Sequence, residues 1–200
     1  MNHLKIQQAA GVELVRSAKP VNQLPLRGRF QVEHIRNGKV IGNYDFPNGI
    51  TTEGKNKLLN VMFNGSSAVA TWFLGLIDLA GFTALAAADI YDNINQVGNG
   101  WDEFTNYTDD ANADSTTTRP TWVEGAASAA SITNASPIIF DITGTGTVKG
   151  VFLAGGTNAQ TKGDHTAGAA NTLWATALFT GGDVAVLNGD QLKVTYTVSA

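Results

Sequence analysis

Apolar residues in the early part of the chain alternate with polar ones at the two-residue period of strands half buried in a sheet. Phe30, Val32 and Ile35 predict one strand, and Val40, Ile41, Tyr44 and Phe46 predict a second over 39–46. Asn37-Gly38 lies between them, and both residues tolerate the positive φ that a two-residue type I′ turn demands, so a hairpin is expected. The period changes after Pro47-Asn48-Gly49. Thr51-Thr52-Glu53 offers hydroxyl caps and an acidic first turn, and Leu58, Leu59 and Met62 recur at helical spacing. This predicts a helix over 52–63, closed by Asn64-Gly65. Over 71–78 large apolar residues fall on both faces, Trp72, Leu74 and Leu76 opposite Phe73 and Ile77, the mark of a strand buried on both sides.

From Ala80 to Thr118 the pattern dissolves. Ala84 to Ala88 has the makings of a short helix, but Asp89, Asp92, Asn93, Asn95, Gly98 and Gly100 break anything longer, and 109–118 carries almost no apolar residue. A surface excursion is expected there. Beyond it strands are predicted near 121–123, 131–133, 138–142, 147–153, 173–179 and 191–198. About nine short strands with one short helix point to an all-β fold, a β-sandwich or jelly-roll-like domain over 28–200. The 22 glycines agree, since they lack a collagen period and mark frequent turns. Trp72, Trp122, Trp174, Phe140 and Phe152 sit inside predicted strands, and four of the five are expected in the core. Trp101 lies among Gly98, Gly100, Asp102 and Glu103, where packing demands are weaker, and is expected on a partner-facing surface.

Residues 1–27 differ in character from the rest of the chain. Gln7, Gln8, Pro20, Asn22, Gln23 and Pro25 interrupt any regular period, and the segment reads as an extended N-terminal arm. Leu4, Ile6, Val12, Leu14 and Val15 are too apolar for a tail kept in water. They are expected to dock onto another subunit, or to form a short strand on their own domain. The first 16 residues do not read as a signal peptide, and no apolar run reaches the roughly 20 residues of a membrane-spanning helix.

Charge adds an asymmetry that the net value of −4 hides. Residues 1–57 hold nine Lys or Arg against four Asp or Glu, and residues 58–148 hold one against ten. A basic start and an acidic middle can pair with copies of the same chain, or remain two solvated surfaces. Arg16, Lys19 and Arg27, with the arm's apolar residues, are the candidate partner contacts. Lys5, Arg16, Lys19, Arg27 and Arg29 make only a weak nucleic-acid footprint, because no aromatic platform interleaves with them. No specific nucleic-acid partner is expected.

Chemistry-bearing motifs are scarce. The chain has no cysteine and three histidines, His3, His34 and His165, in an arm, a strand and a glycine-rich loop. That distribution forms no metal or nucleophile motif. His34 keeps step with Phe30 and Val32 and is expected to be a sheet-face histidine satisfied by a neighbour. Gly144, Gly146 and Gly150 miss the dinucleotide spacing and read as a turn. Asp109, Asp110 and Asp114 lack the ligand spacing of a calcium loop. Asp102 and Glu103 beside Trp101 suggest a sugar site, but adjacent strand residues face opposite ways and do not flank one bond. No catalytic residue, cofactor or metal is expected.

Several segments carry a resemblance. Asn48-Gly49-Ile50-Thr51-Thr52-Glu53-Gly54, Leu58-Leu59-Asn60, and Thr71-Trp72-Phe73-Leu74-Gly75-Leu76-Ile77-Asp78 resemble a widespread set of uncharacterised tailed-bacteriophage virion proteins. Gly81-Phe82-Thr83-Ala84-Leu85, Trp101-Asp102-Glu103, Tyr107, Arg119-Pro120-Thr121-Trp122, Gly150-Val151-Phe152-Leu153 and Gly189-Asp190-Gln191-Leu192-Lys193-Val194-Thr195-Tyr196 come next in the same order. The likeness covers residues 28–199 and excludes the arm, and it transfers no functional residue. It implies a non-enzymatic virion structural protein, first as capsid decoration or cement on the major capsid protein. A neck, collar or tail-fibre adaptor bound to connector or tail proteins is the alternative. Self-association, as a homotrimer at threefold sites, and assembly into virions in the host cytoplasm are the matching expectations.

Overall fold

The computed structural model describes residues 26–96, 98, 100–109, 115–166 and 171–200. Two long strands open the fold, β1 (Arg27–Arg36) and β2 (Lys39–Ile50), joined by Asn37 and Gly38 at φ 50° and 70°. The pairing of Arg36 with Lys39 makes this the expected two-residue hairpin. Helix α1 (Thr52–Phe63) comes next, with Thr51 as its N-cap, and then β3 (Trp72–Asp78). A single 3-10 turn at Tyr91–Asn93 precedes two short strands, β4 (Glu103–Phe104) and β5 (Tyr107–Asp109). The remainder is β6 (Thr121–Trp122), β7 (Ser131–Thr133), β8 (Ile138–Ile142), β9 (Gly146–Gly155), β10 (Thr172–Leu178), β11 (Val184–Val186) and β12 (Gln191–Ser199).

All these pairings are antiparallel, and they run in the order β4-β3-β9-β10-β2-β1-β12-β8-β5. Strand β2 joins two halves. Nine of its first ten residues pair with β1, Ile41 being left out at a bulge, and Gly49 and Ile50 pair with Thr176 and Ala175 of β10. The end strands β4 and β5 are separated in sequence only by Thr105 and Asn106, so the nine-strand path nearly closes on itself. Near-closure leaves few unpaired edges, which is how all-β proteins limit edge-to-edge association. The sequence pattern marked nine strands; β4, β5 and β11, at two or three residues each, are too short for a period to register.

Alternation sorts the side chains into two apolar clusters. The first fills the interior between the halves and includes Phe30, Phe46, Leu74, Leu76, Phe140, Val151, Leu192, Val194 and Tyr196. The second lies on the other face of β3, β9 and β10, where Phe73, Ile77, Phe152, Ala154 and Leu173 meet Tyr91, Ile94, Trp101 and Ala159. Strand β3 is therefore buried on both sides, as its pattern predicts. Each such Leu, Ile or Phe stabilises the fold by roughly 1.5–3 kcal/mol.

The excursion expected over 80–118 is exposed only in part: residues 80–88 lie largely at the surface, while 110–114 fall outside the described residues. The described part of 89–109 is packed instead: Tyr91, Ile94 and Trp101 cover the outer face of β3 and β9, and Phe104 and Tyr107 turn into the first cluster. Trp101 is therefore no partner-facing residue: it is 1% exposed, tilts against Phe152 at 5.4 Å and donates its indole N–H to Asp89 Oδ2 at 3.0 Å. The glycines around it mark turns of a packed layer rather than a loose loop.

Candidate functional site

The sheet positions two unlike constellations, one polar and sealed, the other apolar and open. The sealed one lies beside the second cluster. Arg119 and Glu103 form an ion pair with both side chains at 0% exposure. Arg119 Nε and Nη2 donate to Glu103 Oε1 and Oε2 at 2.9 and 2.8 Å. The remaining guanidinium N–H groups reach the Tyr91 hydroxyl at 3.1 Å and the carbonyls of Ala159 and Asp164 at 2.9 and 3.2 Å. Glu103 also accepts from the Tyr107 hydroxyl at 2.9 Å and from the Gly163 N–H at 2.7 Å.

Burial opposes the charge on Arg119, but Glu103's charge and hydrogen bonds outweigh it and hold the guanidinium above its ordinary value. Burial, then the charge of Glu103, push the Tyr107 hydroxyl well up, and burial likewise raises Tyr91. Burial lowers nearby Lys162, which donates to the Thr105 carbonyl at 3.1 Å and to that of Tyr107. Every partner belongs to the chain itself, and the network ties β4 and β5 to segments 115–120 and 158–165. Its geometry fastens the outer layer and leaves both Glu103 oxygens occupied, which answers the sugar-site reading of Asp102 and Glu103.

A smaller polar knot joins β1 to the turn before β12. Asp190 accepts from Arg36 twice, at 2.7 Å each, from the Leu187 N–H at 2.8 Å, and lies 2.8 Å from His34 Nε2. The Arg36 hydrogen bonds hold the Asp190 carboxyl well below its usual range, burial notwithstanding. His34 is thus the satisfied sheet-face histidine that its position suggested.

The open constellation surrounds α1. Only Gly54 of this helix is buried, and at that position a side chain would meet backbone: a Cβ there would fall 2.8 Å from the Trp174 carbonyl oxygen. The helix is tied to the sheet by hydrogen bonds at its first turn. Thr51 Oγ1 accepts the Gly54 N–H at 3.0 Å and donates to the Leu173 carbonyl. Glu53 Oε2 accepts the N–H groups of Leu173 and Tyr91 at 2.6 and 2.9 Å. Burial holds the Glu53 carboxyl above its usual range, against those two donors.

Past this anchor, an apolar groove of about 330 Å³ opens between α1 and the margin of the first cluster. Leu58 and Val61 of α1 line it together with Trp72, Trp122 and Trp174. Leu26, which immediately precedes β1, also lines it. Trp72 and Trp174 stand edge to face at 5.8 Å, and Trp174 donates its indole N–H to the Tyr196 hydroxyl at 3.0 Å. Trp122 stands edge to face with Tyr196 at 6.1 Å, but its buried indole nitrogen finds no acceptor among the described residues. On the outer side of α1, Leu59, Met62 and Phe63 are 53%, 65% and 82% exposed.

Of the residues singled out in the sequence, Leu4, Ile6, Val12, Leu14, Val15, Arg16 and Lys19 lie outside the described residues, as do Asp110 and Asp114. Arg27 is the exposed first residue of β1, paired opposite Ser199, rather than the last residue of an arm. Arg29, one of the scattered basic residues, is paired with Asp45 on the neighbouring strand. Among the described residues no cluster of three or more His, Asp or Glu is placed to hold a metal ion. The groove escaped the sequence reading because its three tryptophans come from strands distant in the chain, and in sequence each looks like core. The nearest signal was α1 itself, whose apolar positions 58, 59, 61, 62 and 63 are too many for a helix with one buried stripe. Comparisons with protein-family models, curated proteins and solved structures found no match to this chain.

Proposed function

We propose that the chain is a structural protein of a tailed-bacteriophage particle, located in the virion and bound to the major capsid protein as a decoration or cement component. The reading rests on the sequence resemblance over 28–199 and on one structural observation that supports it, the exposed apolar row Leu59, Met62 and Phe63 on α1. Contiguous apolar residues at such exposure are unfavourable in water and characteristic of interaction surfaces. A rigid, nearly edge-free sheet carrying a projecting apolar helix suits attachment to a repeating lattice, where many modest contacts act together.

In this reading the two halves of the sheet correspond to the layers of a β-sandwich with jelly-roll-like character, and the first apolar cluster is the material between them. The basic and acidic regions of the chain favour contact between copies, with a trimer the natural match to a threefold position on a shell.

The test is the copy number in purified particles, measured by quantitative mass spectrometry against the major shell protein. Hundreds of copies support decoration of the shell. A dozen or fewer overturn it in favour of a neck or tail adaptor, and absence from particles overturns the virion reading altogether.

A further inference from the structure

We propose that the Asn64-Gly65 pair at the end of α1 is a self-modification site, at which Asn64 is deamidated through a cyclic imide formed with the Gly65 amide nitrogen. The sequence holds five Asn-Gly pairs, and the fold selects among them. Asn37-Gly38, Asn48-Gly49, Asn64-Gly65 and Asn188-Gly189 have both residues described, and Asn99 of the fifth lies outside the described residues. Glycine after asparagine favours this chemistry because it has no side chain to crowd its own nitrogen and adopts a wide range of backbone angles.

Ring closure requires rotation about the Cα–C bond of the asparagine until the next amide nitrogen meets Cγ, so a pair reacts where that rotation breaks little. Three of the four are held. Asn37 and Gly38, at φ 50° and 70°, form the turn whose flanking residues Arg36 and Lys39 are paired, and rotation there unseats the hairpin. Asn48 Nδ2 donates to the Tyr196 hydroxyl at 3.1 Å, and Gly49 is paired with Thr176 of β10. The Gly189 N–H donates to the Ile142 carbonyl at 2.8 Å, and the next residue, Asp190, is fastened to His34 and Arg36. Asn64 and Gly65 are both exposed, and the Gly65 N–H makes no hydrogen bond to a described residue. A Cβ at Gly65 would meet nothing within 4 Å, so the space around the pair is open. From Gly65 to Ala70 a single hydrogen bond among the described residues resists the rotation, from the Ser66 N–H to the Asn60 carbonyl at 3.1 Å. It lies at a helix end, where opening is cheap.

In the reaction the Gly65 nitrogen gives its proton to a solvent base and adds to Asn64 Cγ. The new N–Cγ bond forms, the Cγ–Nδ2 bond breaks, and ammonia leaves with a proton taken from water. Water then opens the imide. Attack at Cγ gives aspartate, and attack at the main-chain carbonyl gives isoaspartate, whose chain continues through the side chain. Nothing is oxidised or reduced. Either product places a carboxylate directly after Phe63, at a helix C-terminus whose last turn has no basic residue to offset it. None of these steps needs a shell or a partner, so the inference is independent of the virion reading.

Ageing of the purified full-length protein in mildly alkaline buffer made with heavy-oxygen water, followed by peptide mapping with mass spectrometry, tests it. The expected result is conversion at Asn64 roughly tenfold or more faster than at Asn37, Asn48 or Asn188, with heavy oxygen taken up and both aspartate and isoaspartate formed. In urea-unfolded protein the four rates should converge, since each asparagine is then followed by an unconstrained glycine. Gly65→Ala, which crowds the attacking nitrogen, should slow conversion at Asn64 and leave the other three sites unchanged. Equal rates at the four sites of the folded protein overturn the proposal, as does aspartate without isoaspartate at Asn64. A preference for Asn64 that persists unchanged in urea overturns it too, because neighbouring sequence and not the fold would then set the rate.

Discussion

The layer over β3 and β9 and the helix beside the groove are both additions to the same sheet, yet one is finished and the other is not. Over the outer face, Tyr91, Ile94 and Trp101 pack into the second cluster while Phe104 and Tyr107 turn into the first, and beside them Arg119 and Glu103 are enclosed with each guanidinium nitrogen and carboxylate oxygen partnered. At the margin of the first cluster, α1 buries one glycine, leaves five apolar side chains partly or largely exposed, and overlies an indole N–H with no acceptor among the described residues. A protein interior tolerates neither voids nor orphaned donors cheaply. The contrast therefore separates a region closed by its own packing from one whose apolar surface is left uncovered among the described residues.

The largest effect should come from breaking the sealed side. Arg119→Met leaves Glu103 buried without its counter-ion, a change that costs about 3–5 kcal/mol. Urea unfolding followed by circular dichroism should show the midpoint falling by a corresponding amount. A shift under about 1 kcal/mol would mean that water reaches Glu103 and that the layer is not sealed.

Next comes the anchor of the open side. Gly54→Ala gains helix propensity of about 1 kcal/mol, but its methyl group would meet the Trp174 backbone, which cannot move aside as a flexible side chain can. A net loss of about 1–3 kcal/mol is expected, as for overpacking. The Trp72 and Trp174 fluorescence should change as α1 is pushed from β10. A stabilised Gly54→Ala protein would show that α1 is not seated where its first turn places it.

Much of the frame was legible in the sequence because it depends on local rules. Asn37-Gly38 specifies its turn, Thr51 its cap, and the two-faced pattern of 72–77 its double burial. Residues 80–109 give no such signal because no period links Tyr91, Ile94 and Trp101; they are apolar points on an irregular segment, and only the sheet beneath makes them a layer. Arg119 and Glu103, sixteen positions apart on segments without pattern, could not be paired from the chain alone. The motif Thr51-Thr52-Glu53-Gly54 was visible as a capped helix start, but the bonds from Glu53 to Leu173 and Tyr91 and the backbone contact at Gly54 depend on β10.

Acid should distinguish two carboxylates of opposite sign. Asp190 has its folded-state pKa depressed, so it contributes stability that is present above its unfolded value of about 3.9 and lost as pH falls through the lower folded value. Glu53 has its folded-state pKa raised, so its ionisation opposes folding as pH rises from about 4.3 toward the folded value. Asp190→Asn should therefore flatten the acid limb of the stability curve, with a loss of about 1–3 kcal/mol at neutral pH. Glu53→Gln should remove a smaller dependence of the opposite slope. Identical acid limbs for wild type and Asp190→Asn would show that the Arg36 contact does not persist in solution.

The smallest effect on stability should accompany the largest effect on binding. Phe63 is 82% exposed at the last turn of α1, so Phe63→Ser removes little buried surface and should alter the unfolding midpoint by no more than about 0.5 kcal/mol. If the outer face of α1 meets the shell, the same substitution should sharply reduce co-sedimentation with assembled shells, and Met62→Ser should act in the same direction. Lys149→Ala supplies the control, since Lys149 pairs with Asp183 away from α1 and its loss should leave sedimentation unchanged. Unchanged sedimentation of Phe63→Ser and Met62→Ser would leave α1 as a cover for the groove and move the contact with the shell elsewhere on the domain. A helix that meets a partner with its outer face while Leu58 and Val61 line the groove on the other needs apolar residues around more of its circumference than a single stripe. The row 58, 59, 61, 62 and 63 has that breadth.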